Sequence, residues 1–116
     1  MSHHKPTNSI VRVFVACSPE YGNGRALREA FTSIFLDTIE GQREYYYFDC
    51  PAMTEILDDG FINRAIFHRF VRGDAKDAAA IKALKFTHIV SGGDDAFVEC
   101  LVAELASLDA VLVRLA

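Results

Sequence analysis

Residues 10–40 change hydrophobic period across a short polar loop, and that change constrains the fold more than any other feature of the chain. Ile10-Val11-Arg12-Val13-Phe14-Val15-Ala16-Cys17 is rich in β-branched residues and nearly continuous in apolar character. A strand of this kind is covered on both faces, the condition of a central strand in a parallel sheet. From about Arg25 the spacing is different. Leu27, Ala30, Phe31, Ile34, Phe35 and Ile39 recur at three- and four-residue steps, which places them on one face of a helix. Gly41 is the expected stop. The intervening Ser18-Pro19-Glu20-Tyr21-Gly22-Asn23-Gly24 consists largely of residue types that turn a chain.

The same alternation continues. Tyr45-Tyr46-Tyr47-Phe48 is aromatic and reads as a second strand, ended by Asp49-Cys50-Pro51. Residues 54–85 read as two helices. The first carries Phe61, Ile62, Ala65, Ile66 and Phe70 behind an Asp58 or Asp59 cap, and Gly73 breaks it. The second is capped by Asp74 with Asp77 and runs through Ala78, Ile81 and Leu84. Phe86-Thr87-His88-Ile89-Val90 is a third strand, then Asp94 is expected to cap a helix with Val98, Leu101, Val102 and Leu105 on its apolar face. Ala110-Val111-Leu112-Val113 is a fourth strand. Strands alternating with helices imply a mostly parallel, four-stranded sheet in a small three-layer α/β sandwich. A last strand with no helix after it is expected to be covered by an oligomer partner or by further chain, unless the domain is simply short.

At 116 residues the expectation is a single domain over 10–116 behind a polar lead-in of residues 1–9, where His3 and His4 read as part of a loose terminus. With 51% apolar and 24% charged residues, disordered and membrane-spanning classes do not fit. The lead-in has no apolar core of the signal-peptide kind, so a cytoplasmic location is the default expectation. A net charge of −4 argues against nucleic acid as the main partner. Cys17, Cys50 and Cys100 are far apart in sequence and odd in number, which suits neither a disulfide framework nor a metal knuckle; each reads as a small buried thiol.

Two loops are candidate sites. Ser18–Gly24 falls at the carboxyl end of the first strand and the amino end of the first helix, where open α/β sheets bind ligands and where the helix dipole favours an anion. Ser18, Gly22, Asn23, Gly24 and Arg25 could hold a phosphate there. The alternative is a plain turn built from good turn formers. Ser91-Gly92-Gly93-Asp94-Asp95 falls at another carboxyl end, so Gly92, Gly93 and Asp94 could complete the site. Its paired acids could instead hold Mg²⁺, as in the similar GGDD loops of palm domains, or serve only as a glycine turn with an aspartate cap. A Cys17–Arg25 phosphatase loop fits poorly, its spacing two residues too long and without the inner glycine pattern. His88 reads as a core residue and His68 as an edge residue, neither with a nucleophile partner.

The stretch from Val13 to Leu27 resembles the first motif of flavodoxin-like NAD(P)H-dependent FMN reductases and quinone reductases: a strand running into Ser-Pro, then Gly-Asn and a helix containing Ala-Leu. A second likeness runs from Leu105 to Val113, similar to the helix and strand before that family's second flavin loop. The resemblance implies a flavodoxin-like or Rossmann-like scaffold, FMN as cofactor, and Ser18, Asn23 and Arg25 on its phosphate, with Gly24 where Thr or Ser is usual. Cofactor-borne hydride or electron transfer would follow. Two other readings stay open. Nucleoside deoxyribosyltransferase-like domains also begin with a strand and a Ser-Pro or Gly-Pro loop, and would here use Glu20, Asp94, Asp95 and Glu99. The third is a non-catalytic assembly or regulatory module pairing through its final strand.

Overall fold

The computed structural model describes residues 10–38, 42–60, 66–106 and 110–116. The elements are β1 (Ile10–Cys17), α1 (Gly24–Asp37), β2 (Gln42–Phe48), α2 (Pro51–Asp59), β3 (Ile66–Phe70), α3 (Ala75–Ala83), β4 (His88–Gly92), α4 (Ala96–Ala106) and β5 (Val111–Arg114). The lead-in with His3 and His4, Ile39, Gly41, the apolar positions Phe61, Ile62 and Ala65, and Asp109 in the second family likeness lie outside the described residues.

The sheet has five strands in the order β3-β2-β1-β4-β5, every pair parallel. β1 is central, as its nearly continuous apolar run implies. Val11, Val13, Val15 and Cys17 face one layer, Phe14 and Ala16 the other. The first layer is α1 and α2, through Leu27, Phe31, Ile34, Met53 and Ile56. The second is α3 and α4, through Ile81, Val98, Leu101, Val102 and Leu105. This division follows from chirality. The chain steps outward from β1 to β3, then crosses back to β4 on the other side, and right-handed crossovers in opposite directions leave their helices on opposite faces.

The fifth strand corrects the expected four. Residues 66–70 are β3, not the centre of a helix. Phe67 stacks on Tyr45 at 5.2 Å between ring centroids, His68 on Tyr46 at 4.6 Å and Phe70 on Tyr46 at 5.6 Å. Such ladders need the two-residue period of a strand, and the aromatic β2 supplies the template. The preceding helix lies earlier than expected. Pro51 does not merely end β2 but starts α2 at the position where a missing N–H costs nothing. Asp58 and Asp59 are accordingly in the last turn of α2 and cap none of the described helices. Asp74 caps α3 as expected, its carboxylate accepting from the N–H of Lys76 and Asp77 at 2.8 and 3.0 Å.

Candidate functional site

The strand order reverses between β1 and β4, so the loops after these strands, 18–23 and 93–95, flank the point where doubly wound sheets hold ligands. They are packed on each other. The Ser18 N–H donates to Gly92 O at 2.9 Å. Gly93 has φ +85°, and a Cβ there would lie 2.8 Å from Ser18 Cβ. A Cβ on Gly92 would lie 2.8 Å from the Tyr21 ring. Tyr21 is buried, and its hydroxyl donates to Ala116 O at 3.1 Å. The crevice is thus closed by a serine and a tyrosine that only glycines opposite could admit.

Of the residues expected to hold a phosphate at the start of α1, Asn23 and Gly24 already have neighbours of their own. Asn23 is the cap of α1, its Oδ1 accepting from the Ala26 N–H at 3.1 Å. Gly24 is buried because the Glu55 carboxylate of α2 fills the space where its side chain would stand. Gly22 and Arg25 are exposed. A carboxylate already lies at the positive end of α1, with Asp49 and Asp58 lining the same open groove beside Pro19, Cys50, Pro51 and Thr54. An anion approaching from this side meets three acids.

The other side of the carboxyl edge carries the opposite chemistry. A cavity of about 220 Å³ is lined by Cys17, Pro19, Phe48, Asp49, Arg69, Phe70, Val71 and Arg72. Arg69 bonds to Asp49 at 2.9 Å, both side chains largely exposed at the rim. Arg72 pairs with Asp95 and lies over the Phe97 ring, 4.5 Å from its centroid. Its Nη1 is buried and has no hydrogen-bond partner among the described residues. Asp95, not Asp94, caps α4: its carboxylate accepts from the Val98 N–H at 3.0 Å and its carbonyl from the Glu99 N–H at 2.9 Å. Arg72 first, and then the Val98 N–H, hold the Asp95 carboxyl below the ordinary carboxylate range.

The expected residues therefore divide. Ser18 and Gly93 meet at the switch point, Gly92 supports Tyr21, and Asp94 is exposed beside them. Glu20 is exposed, Glu99 engages Arg114 at 3.4 Å, and neither of these two cavities is lined by Glu20, Asp94, Asp95 or Glu99. No group of three metal-binding side chains occurs among the described residues. Arg69 and Arg72 were not singled out as ligands by the sequence. Their signal is position, Arg69 near the carboxyl end of β3 and Arg72 just after it, which is visible only once 66–70 is a strand. The expectation of three buried thiols holds for Cys17 and Cys50; Cys100 is exposed. Among the described residues no helix is long and apolar enough to cross a membrane. Comparison with family models, with curated proteins and with solved structures finds no match.

Proposed function

We propose that the protein binds a phosphate-bearing small molecule, of the nucleotide or FMN class, at the carboxyl edge of the sheet, with the phosphate on the Arg69–Arg72 side. The observation that carries this reading is the buried Arg72 Nη1 donor without a partner, beside a cavity at the carboxyl ends of β1, β2 and β3. A buried N–H left unpaired costs about 1–3 kcal/mol, which an anion would recover. The cavity is below the roughly 300–1,000 Å³ of sites that enclose a whole ligand. It suits a phosphate group, with the rest of the ligand lying over the loop Ser18–Gly22. Asp49, the residue after β2, would accept from a sugar hydroxyl, as acids near that position do in doubly wound folds. FMN by way of the α1 N-terminus is the poorer fit, because Glu55 stands there.

Thermal shift with AMP and FMN, against adenosine and riboflavin, tests the reading. The phosphorylated members should raise Tm at millimolar excess and the others should not. Arg69→Met, at the rim and away from the core, should remove most of that shift. Equal shifts with and without the phosphate would contradict it.

A second reading, a homo-oligomer joined through β5, is favoured by Val111, which is 54% exposed on that edge strand, and Leu112 beside it. Sedimentation that stays monomeric at high concentration would exclude it.

A further inference from the structure

The carboxyl edge also brings two cysteines together. The β1/β2 register pairs Val15 with Tyr47, so two residues further Cys17 lies across from Asp49 and one residue short of Cys50. A lateral spacing of about 4.8 Å between strands combined with one residue's step of about 3.3 Å gives about 6 Å, inside the roughly 4.4–6.8 Å separation of Cα atoms that a disulfide spans. Both side chains belong to the core on the α1/α2 face, so they point to the same side of the sheet. Each thiol is the largest single influence on the other's proton affinity, as close neighbours must be. Each also lines a cavity at the carboxyl edge, Cys17 the one beside Arg72 and Cys50 the acidic groove, which gives a small oxidant two approaches.

We propose that Cys17 and Cys50 form a redox-active dithiol that closes to an intrachain disulfide on oxidation by a peroxide. Cys50 is the attacking sulfur. It is the N-cap of α2, and the Cys17 thiol, followed by the N–H groups of Met53 and Ala52, pulls its pKa down to about 7 against the effect of burial. The same contact, with burial, pushes Cys17 upward, so it keeps its proton. The Cys50 thiolate attacks a peroxide oxygen, the O–O bond breaks, and hydroxide leaves as Cys50 becomes a sulfenic acid, oxidised by two electrons. The Cys17 sulfur then attacks the Cys50 sulfur. The S–S bond forms, the S–O bond breaks, and the hydroxyl departs as water with the Cys17 proton. A dithiol reductant reverses the bond by exchange through a mixed disulfide.

The test uses the full chain with Cys100→Ser, which leaves Cys17 and Cys50 of the three free cysteines. The folded protein is treated with equimolar hydrogen peroxide, alkylated in denaturant and mapped by mass spectrometry without reduction. The expected result is loss of both titratable thiols, a chain lighter by two hydrogens, and a peptide pair joining Cys17 to Cys50 within one chain. Dithiothreitol should restore both thiols. Sulfinic acid accumulating on Cys50 with Cys17 still free, links only between chains, or two thiols inert to peroxide would each overturn the proposal. In Cys17→Ala the sulfenic acid on Cys50 should persist long enough for dimedone to trap it. Should that variant fail to fold, the map of the Cys100→Ser chain decides alone. No ligand enters the measurement, so its outcome is separate from that of the phosphate reading.

Discussion

The contacts at the switch point are set residue by residue, and Gly93 is the most demanding of them. Its φ of +85° disfavours any L side chain, and a Cβ would also press on Ser18. Gly93→Ala should lower unfolding free energy by about 2–4 kcal/mol in urea, combining backbone strain with overpacking. Adding Ser18→Gly should return the part due to the clash and leave the backbone part, a coupling that independent sites would not show. A second residue-scale effect concerns protons. Burial keeps the His88 imidazole neutral by pushing its pKa below the ordinary 6.5, although Asp37 acts the other way. As pH falls through 6.5 the unfolded chain takes up this proton before the folded one does, so stability declines from 6.5 downward until the folded imidazole also titrates. Urea unfolding at stepped pH should show this slope, and His88→Gln should flatten it.

Elements here are specified partly by their own residues and partly by neighbours, and the two kinds differ in legibility. The α3 cap is local: Asp74 faces two free N–H groups. Asp74→Ala should therefore cost about 1 kcal/mol of global stability, and Asp74→Ser much less. β1 and α1 were equally readable, because an eight-residue apolar run and a three-to-four spacing each carry their own period. β3 was not. Ile66-Phe67-His68-Arg69-Phe70 has apolar residues at spacings that suit helix or strand alike, and only Tyr45 and Tyr46 on β2 decide between them. The cap of α4 shifted from Asp94 to Asp95 for a similar reason. Arg72, brought from the end of β3, fixes Asp95 in place, and no local spacing announces that partner.

For the whole molecule, the order β3-β2-β1-β4-β5 decides which loops share an edge. The sequence shows the alternation of strands and helices that brings loops 18–23 and 93–95 to one carboxyl edge. It did not reveal that Glu55 and Asp58 line the groove on the α2 side and Arg69 and Arg72 the opposite cavity, with Asp49 shared between the two. That division depends on β3 being a strand, since only then does Arg72 arrive beside the N-terminus of α4. The same topology sets Cys17 next to Cys50, residues that look unrelated along the chain. The central claim is that a phosphate is received on the arginine side of this edge, and amide chemical-shift mapping with AMP tests it most directly. Saturable shifts are expected at Ser18–Tyr21, Arg69–Arg72 and Asp95–Phe97, with little change at Gly24–Leu27. Shifts centred on Gly22–Arg25 with Arg72 unmoved, or no saturable shift at all, would contradict it.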